Sequence, residues 1–487
     1  MHRIIRTNIH RTHENACETF ACPRRAFLAR SLALGGLAAT PHGPLATSGP
    51  PTGTFAWLVL EAETGRELAQ EKADTPLAPA SCLKLLTAVF ALAVLGPEHR
   101  FRTRLLATGA LRDDALAGDL VLRGEGDPLL DLDHLLALAL ALKRAGVRRI
   151  LGRFFVDESA FPVVPRLSSE EPEWAPWNAG VGPLGVAFDR VSLGEGEGGP
   201  FSIPPLVARL QRVPVSRTGA EGIRAVRSAD GTLKAWLLAD DRPLPEALPV
   251  EDPGLHAARL FARFAAGCGI VLPEPQSGAP SAPAREIAVH TGLPLRDGVR
   301  AMLHHSNNQV AERLGLAAAA ALLGQAPRGR RHSAAVMAEY LAQRIADFPA
   351  RGLNVADHCG LSRDNRLTAR ALAAVLREGL RRFELPALLP LAGWSGTLAR
   401  RFRAPDRALG LAAKTGSLDY ASALAGYLVV PGRALRIVAM LADDAAARAA
   451  FRSRQRAGEP DRRAAQLWLR LARAREEETI ARLLAGS

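Results

Sequence analysis

Lysine is scarce in this sequence, although the chain is basic. The 487 residues include 62 Lys and Arg against 49 Asp and Glu, a formal net charge of +13 at pH 7. Only five of these cations are lysines: Lys72, Lys84, Lys143, Lys234 and Lys414. Arg keeps its proton near neutral pH, whereas a desolvated Lys can lose it. A chain that otherwise uses Arg therefore has a chemical reason to keep Lys where a proton is transferred.

Basic runs interleaved with aromatic residues are also missing. Aromatic residues make up 5% of the chain, and the Arg residues are spread singly along it. Because nucleic-acid-binding proteins concentrate such residues on one surface, we expect no nucleic-acid partner. The positive charge is equally consistent with peripheral association with an anionic cell wall or membrane surface.

Cysteine is rare, and its spacing does not fit a metal site. Cys17 and Cys22 lie near the N-terminus, and Cys82, Cys268 and Cys359 allow at most one disulfide between them. None of the five has the recurring Cys or His spacing of a metal-binding motif. We therefore expect no metal and no organic cofactor, and we expect the three later cysteines to be buried as small hydrophobes.

Long apolar runs are absent, so the sequence predicts no transmembrane anchor. Near the N-terminus, Pro23-Arg24-Arg25-Ala26-Phe27-Leu28 precedes a short run of small apolar residues at 31–40. A charged stretch followed by an apolar run too short for a bilayer resembles a twin-arginine export signal. We therefore expect residues 1–46 to be a signal segment and the protein to be periplasmic; a basic disordered tail is the alternative.

The pattern of predicted elements changes twice along the rest of the chain. A strand hairpin at residues 55–71 and a helix from Ser81 are followed, from about residue 96, by short strands and turns. The Pro-rich stretch 273–283 ends this middle part, and helical patterns then dominate at 296–380.

These changes predict one core with an insertion. Residues 47–95 and 285–487 are expected to form the core, and residues 96–284 one or two inserted domains. Two further strands predicted between 421 and 441 make the core an α/β (α+β) fold with an antiparallel sheet. The Arg-rich stretch 461–484 is predicted to be a terminal helix that packs on the core, with a helix on a membrane surface as the alternative.

Three short motifs occur in chain order. They are Ser81-Cys82-Leu83-Lys84, Ser306-Asn307-Asn308 and Lys414-Thr415-Gly416-Ser417. Each motif alone is weak because its residues are common, but together they match the S-x-x-K, S-x-N and K-T-G set of penicillin-interacting serine enzymes.

The first two motifs suit a nucleophile and the groups that move its proton. On a helix, Ser81 and Lys84 share a face, so the amine lies within reach of the hydroxyl. Lys84 can accept the proton only if its own pKa is lowered, which burial and a second cation, Lys414, would both achieve. Ser306 is expected to relay a proton to the leaving amine, and Asn308 to bind the substrate amide and Lys84.

The third motif is expected to hold the substrate. A strand that continues after Lys414 would pair with an extended peptide, with Lys414 and Thr415 facing the terminal carboxylate. Thr415, Gly416 and Ser417 are therefore expected to be substrate-binding residues. The backbone N–H groups of Ser81 and Ser417 are the expected oxyanion donors.

With these motifs in this order, the sequence resembles the serine D-Ala-D-Ala carboxypeptidases and endopeptidases of the low-molecular-mass class C penicillin-binding proteins. The likeness extends over about 54–441 and includes the long gap between the first and second motifs. It implies a transpeptidase/β-lactamase-like core, with the antiparallel sheet flanked by helices and the insertion in that gap. It also implies an acyl-enzyme mechanism, with peptidoglycan stem peptides and β-lactams as partners.

The resemblance nominates two further site residues. In this family, the Asp of a strand-end phrase such as Val156-Asp157-Glu158 and the Arg of a Gly-Leu-Ser-Arg phrase lie near the substrate side chain. Asp157 and Arg363 are the matching residues here; a capping Asp and a structural ion-pair Arg are the alternatives. The sequence departs from the family at His358-Cys359, where small residues are usual before Gly360.

Three other functions fit the sequence less well. A β-lactamase-like hydrolase shares the acylation step, but the E-x-x-L-N box of class A enzymes is absent from the sequence. A non-catalytic penicillin-binding homologue would be expected to lose one motif, and all three are intact. A Ser-His-Asp hydrolase is disfavoured because the sequence has no G-x-S-x-G elbow, and His304 and His305 are expected to be helix-end residues.

Overall fold

A computed structural model of the protein describes residues 51–219, 221–349, 352–405, 407–453 and 459–485. The predicted signal segment, residues 1–46, lies outside the described residues. Within the described ranges, no helix is both long enough and apolar enough to cross a membrane.

The described part of the chain contains nine α-helices and many short strands. The helices are α1 (Lys84–Leu95), α2 (Leu132–Arg144), α3 (Pro253–Gly267), α4 (Leu295–His305), α5 (Asn308–Leu323), α6 (Arg330–Arg344), α7 (Ala369–Phe383), α8 (Ala445–Ser453) and α9 (Glu459–Leu484). The strands of the first half are β1 (Thr54–Glu61), β2 (Glu67–Glu71), β3 (Arg102–Ala107), β4 (Leu111–Arg112), β5 (Ala115–Leu116), β6 (Leu120–Gly124), β7 (Arg149–Ile150), β8 (Phe154–Asp157), β9 (Val164–Arg166), β10 (Ala179–Val181), β11 (Arg190–Gly196) and β12 (Gly199–Ile203). The strands of the second half are β13 (Arg209–Val213), β14 (Ile223–Arg227), β15 (Leu233–Ala239), β16 (Ala247–Pro249), β17 (Pro275–Ser277), β18 (Arg285–Thr291), β19 (Leu411–Leu418), β20 (Ala421–Leu428) and β21 (Arg436–Asp443).

Strands from the two ends of the described chain form one antiparallel sheet, the core sheet. Its order is β19-β20-β21-β1-β2, so the N-terminal hairpin pairs with the C-terminal strands. Side chains alternate between its faces because the strand period is two residues. Leu58 faces a cluster formed with α1, α5 and α7, whereas Val59 faces a cluster that includes α9. This is the antiparallel sheet between helical layers that the sequence predicted.

The segment between α1 and α4 forms a separate set of small sheets. The largest of them has the order β17-β8-β6-β3-β18 and packs its apolar face on α2 and α3. Helix α3 was not predicted from the sequence. The boundary expected after residue 284 divides this sheet, because β18 lies beyond it and pairs with β3, and β17 lies inside the Pro-rich stretch.

A buried ion pair joins this inserted part to the core. The Nη2 of Arg313, on α5, lies 2.6 Å from Oδ2 of Asp189, and its Nε donates to the carbonyl of Gly182 at 2.9 Å. Both charged side chains are excluded from solvent. Since an unpaired buried charge is costly, the pair fixes the insertion against the helix that follows the second motif.

Helix α9 packs on the outer face of the core sheet. Its Trp468, Ala472 and Ile480 are buried with strand residues such as Leu424 and Val438. The apolar side of this helix is therefore covered by protein. Its position agrees with the predicted terminal helix on the core.

The three described cysteines are free thiols and differ in exposure. Cys82 and Cys359 are fully buried, as the sequence predicted. Cys268 is only partly buried, because it caps the C-terminal end of α3.

Candidate active site

Ser81 and Lys84 lie at the junction of two helical turns. Ser81 is part of a 3-10 turn, Ala80–Leu83, and α1 begins directly afterwards at Lys84. The Nζ of Lys84 donates a hydrogen bond to the Ser81 hydroxyl at 3.0 Å. The S-x-x-K spacing therefore brings the amine to the hydroxyl, as the sequence predicted.

The Lys84 amine is enclosed by acceptors from distant segments. It donates to Oδ1 of Asn308 at 2.8 Å and to the backbone carbonyl of Cys359 at 2.6 Å, in addition to Ser81. The side chain is fully buried, and burial lowers its pKa, against the opposing charges of nearby acids such as Asp357. A lysine in this setting can act as a base near neutral pH.

Lys414 is the second buried lysine of the site. Burial, and then the positive charge of Lys84, lower the pKa of Lys414 to about 7. The two amines therefore repel each other, and each favours the uncharged form of the other. The first and third motifs are also joined directly, because the Cys82 thiol donates to the carbonyl of Lys414 at 3.2 Å. From the sequence, only burial as a small apolar residue was predicted for Cys82.

The second motif forms the link between two helices. Ser306 ends α4 in the left-handed region, with φ 54° and ψ 31°. Asn307 then caps α5 by accepting the N–H of Val310 at 3.0 Å. Asn308 is the first residue of α5; its Oδ1 binds Lys84, and its Nδ2 donates to the carbonyl of Trp177 at 3.0 Å. The site thus includes backbone of the insertion, which no motif indicated.

The third motif lies on β19, the edge strand of the core sheet. An edge strand has free N–H and C=O groups that can pair with an extended peptide. Gly416 brings this strand close to the nucleophile, because a Cβ there would lie 2.8 Å from the carbonyl oxygen of Pro79. The hydroxyl of Thr415 lies 2.8 Å from that of Thr397. Ser417 follows with an exposed side chain.

A buried turn at residues 357–360 holds the Cys359 carbonyl on Lys84. Oε1 of Glu312 accepts the N–H groups of His358 and Cys359, at 3.0 and 3.1 Å. Gly360 has φ +87°, and a Cβ there would lie 1.9 Å from the carbonyl oxygen of Ala80. Burial raises the pKa of Glu312 to about 7. His358-Cys359, the departure from the family pattern, therefore lies inside the framework of the base.

Three ligand-type side chains meet in this turn. Single oxygen or sulfur atoms of Glu312, Asp357 and Cys359 lie within 4.8 Å of one another. Asp357 accepts the N–H groups of Gly360 and Ser362, Glu312 accepts two others, and burial raises the pKa of the Cys359 thiol. These donors are committed to backbone N–H groups and to a protonated thiol, so the cluster suits a turn better than a metal ion.

Asp157 and Arg363, nominated by the resemblance, have different partners. Asp157 binds Arg123 at 2.6 Å and caps the N–H of Ser159 at 3.0 Å, and it lines a cavity of about 1170 Å³ with no motif residue in its walls. The contact with Ser159 fits the alternative, a capping Asp, and the role of Asp157 near the substrate side chain stays a prediction. Arg363 follows the turn of Gly360 and pairs with Glu170 of the insertion at 2.5 Å.

Comparisons with known proteins agree with this geometry. A family model described as D-Ala-D-Ala carboxypeptidase 3 (S13) matches residues 46–182 and 222–459. The chain is 30% identical over 416 residues to a D-alanyl-D-alanine carboxypeptidase of Actinomadura sp. (strain R39), covering 77% of this chain and 74% of the relative. It is 32% identical over 401 residues to a carboxypeptidase of Mycobacterium tuberculosis, covering 78% and 74%.

The fold has solved counterparts. The crystal structure of penicillin binding protein 4 from Haemophilus influenzae superposes with a TM-score of 0.69 at 21% identity, covering 81% of this chain and 91% of that one. A complex of the same protein with a β-lactam gives a TM-score of 0.66. These matches confirm the fold class and the family that the motifs predicted. The chain belongs to the D-Ala-D-Ala carboxypeptidase 3 (S13) family.

Proposed function

We propose that this protein is a serine-type D-Ala-D-Ala carboxypeptidase and endopeptidase that acts on peptidoglycan stem peptides and is acylated by β-lactams. The observation that carries the proposal is the buried Lys84 amine, 3.0 Å from the Ser81 hydroxyl. An uncharged amine in this position can remove the proton that otherwise keeps a serine hydroxyl a weak nucleophile.

The reaction begins with attack of Ser81 Oγ on the carbonyl carbon of the penultimate D-Ala. The hydroxyl proton passes to Nζ of Lys84, and the developing oxyanion is stabilised by the backbone N–H groups of Ser81 and Ser417. The C–N bond then breaks, and the leaving amine takes a proton relayed through Ser306. The terminal D-Ala departs, and water hydrolyses the ester on Ser81 in a second step. No metal or organic cofactor takes part in this scheme.

Substrate contacts come from the second and third motifs. Asn308 binds the substrate amide while holding Lys84, and the edge strand β19 pairs with the extended peptide. Thr415, Gly416 and Ser417 form the part of that strand that faces the peptide end. Arg363 lies on the same loop as the turn of Gly360 and is proposed to face the substrate side chain.

β-Lactams use the same steps as the peptide. Attack of Ser81 opens the lactam ring, and the leaving amine stays attached to the acyl group. Because it cannot depart, the acyl-enzyme is long-lived unless the site supplies a deacylating base. A β-lactamase-like activity or a non-catalytic penicillin-binding role are the alternatives, and they differ from the proposal in the fate of this ester.

We also propose where the protein acts and how the chain is divided. Residues 1–46 would direct export to the periplasm by the twin-arginine route, because Arg24-Arg25 precede a short apolar run. Residues 47–95 and 285–487 would form the catalytic core, apart from β18, which pairs with the sheet of the insertion at 96–284. Peripheral association with the cell wall follows from the net charge of +13.

Product analysis on purified muropeptides tests the activity. Wild type should release terminal D-Ala from pentapeptide monomers and convert cross-linked dimers to monomers, both blocked by prior benzylpenicillin. Ser81→Ala should do neither, and masses of the products identify the bond cleaved. Release at the wild-type rate by Ser81→Ala would overturn the proposal, and rapid turnover of benzylpenicillin without peptide cleavage would favour the β-lactamase alternative.

A further inference from the structure

A residue near the C-terminal end of the described chain contacts the third motif. Helix α9 is fixed on the core sheet by Trp468, Ala472 and Ile480, which are buried. Arg473 follows Ala472, and its Nη2 donates to the Ser417 hydroxyl at 2.9 Å. A guanidinium from outside the three motifs is therefore held at the strand on which the peptide end is proposed to bind.

Arg473 forms no ion pair with a carboxylate of the described residues, although Glu476 and Glu477 lie near enough to act on its charge. The acids one turn along α9, Glu476 and Glu477, both pair with Arg401, each at 2.9 Å. Glu476 also accepts the hydroxyl of Ser422 at 2.7 Å. Burial, and then the charge of Arg401, lower the pKa of Arg473, against the opposing charges of Glu476 and Glu477. A partly buried cation in this position is stabilised by an incoming anion.

The hydroxyl that Arg473 contacts is oriented for a second partner. Because Ser417 Oγ accepts the guanidinium N–H, its own proton is available to another acceptor. Thr415 lies two residues earlier on β19, and alternate residues of a strand share a face. Its hydroxyl lies 2.8 Å from that of Thr397. One edge of the core sheet thus presents two hydroxyls backed by a guanidinium, a suitable partner for a carboxylate.

We infer that Arg473 is a positioning residue that selects ligands with a free carboxylate, acting through the Ser417 hydroxyl. The ligand class is a peptide that ends in a free D-amino acid, or a β-lactam with its carboxylate at the equivalent place. The guanidinium fixes the Ser417 hydroxyl with its proton toward the carboxylate and adds positive charge beside it. This inference rests on the proposed function and adds a selectivity that the three motifs do not explain.

The test compares two compounds that differ only in the carboxylate: benzylpenicillin and its methyl ester. The second-order rate constant for acylation is measured by intact mass for wild type, Arg473→Gln and Arg473→Lys. In Arg473→Gln, we expect acylation by benzylpenicillin to slow about 10- to 100-fold, because a charge-assisted hydrogen bond is lost. Acylation by the methyl ester should stay within about twofold of wild type. Arg473→Lys should recover part of the preference, because it keeps the charge without the planar fork.

Arg482→Gln is the matched control, since it removes an exposed charge from the same helix, one that pairs with Glu478 one turn earlier. It should leave both rate constants and their ratio unchanged, and melting temperatures are recorded for every variant. Equal slowing of both compounds in Arg473→Gln would show a merely structural role and overturn the inference, as would unchanged acylation by benzylpenicillin. If wild type reacted with neither compound, the proposed function itself would fail, a different result from wild type reacting with both.

Discussion

The catalytic core and the inserted part both bury charged side chains, but with different partners. In the core, the Lys84 amine binds Ser81 and Asn308, which lie in two segments far apart in the sequence. In the inserted sheet, Asp157 binds Arg123 of the neighbouring strand. The side chains of Lys84 and Asp157 are both buried. The difference is that Asp157 is neutralised by its partner, whereas Lys84 is paired with a hydroxyl and an amide that do not neutralise it.

Burial therefore has opposite consequences for these two side chains. An ion pair such as Asp157 with Arg123 keeps both groups charged and stabilises a fold. Burial lowers the pKa of Lys84, whose hydrogen-bond acceptors are uncharged, against the opposing charges of nearby acids such as Asp357. The comparison teaches that a buried group stays charged where its direct partner carries the opposite charge, and is driven toward its uncharged form where its direct partners are neutral.

The largest expected effect is that of Lys84→Arg. Arginine keeps the charge but cannot lose its proton near neutral pH, so the hydroxyl of Ser81 loses its base. We expect the acylation rate constant for benzylpenicillin to fall about 10³- to 10⁴-fold. Intact mass over time measures it, and Lys143→Arg, at an exposed position of the insertion, should have no effect. Near-normal acylation of Lys84→Arg would remove Lys84 as the base.

Lys414→Met tests the coupling of the two lysines. Wild-type acylation should rise with pH as Lys84 loses its proton. Without the neighbouring cation, the pKa of Lys84 rises. The pH range over which the acylation rate increases should therefore move to higher pH by about one unit. The rate near pH 7 should fall about 10- to 100-fold. The acylation rate of both proteins is measured over the full pH range. If the increase occurred at the same pH in both, mutual repulsion of the amines would be contradicted.

Glu312→Gln tests the turn behind Lys84. The pKa of Glu312 rises from 4.5 to about 7, so between these pH values the folded protein holds a proton that the unfolded chain has released. This carboxyl therefore destabilises the fold progressively as pH rises through that window. Glutamine cannot titrate, and relative to wild type its free energy of unfolding should rise by up to about 3 kcal/mol across the window.

Urea unfolding at several pH values measures this difference. Glu339→Gln, at an exposed position on α6, is the matched control and should follow the wild-type pH dependence. If the free energy of unfolding of Glu312→Gln also changed with pH in parallel with that of wild type between pH 4.5 and about 7, the pKa of Glu312 would not be raised. The place of this carboxyl in the framework of the base would then need another explanation.

The smallest expected effect belongs to the insertion. Asp157→Ala removes the pair with Arg123 and the cap on Ser159, which should lower the free energy of unfolding by about 1–3 kcal/mol. Hydrolysis of stem peptides should stay within about twofold of wild type. A large loss of peptide hydrolysis without a loss of stability would instead support Asp157 as a substrate-binding residue.

The sequence predicted the parts of the site that depend on local spacing. The Ser81 to Lys84 contact follows from three residues of separation, and the three motifs together predicted that Asn308 and Lys414 join them. The hairpin strands β1 and β2 were predicted because their alternation and turn are local signals. These features need no knowledge of which distant segments meet.

The contacts that could not be predicted join distant segments or use backbone atoms. The Trp177 carbonyl accepts from Asn308, and the Cys359 carbonyl accepts from Lys84. Because every residue has a backbone carbonyl, the sequence does not indicate which one makes such a contact. Arg473 is one of many arginines, and its position depends on how α9 packs. Asp157 shows the converse, because its contacts with Arg123 and Ser159 are local, and the role that a family phrase suggested for it stays a prediction.

The most direct test of the central claim is to locate the penicillin adduct. Wild type is treated with benzylpenicillin, digested, and analysed by peptide mass spectrometry, with Ser81→Ala treated in parallel. A Lys84 amine that takes the proton of Ser81 predicts one adduct, on the Ser81 hydroxyl, and none in the variant. An adduct on another residue, or labelling that persists in Ser81→Ala, would contradict the account.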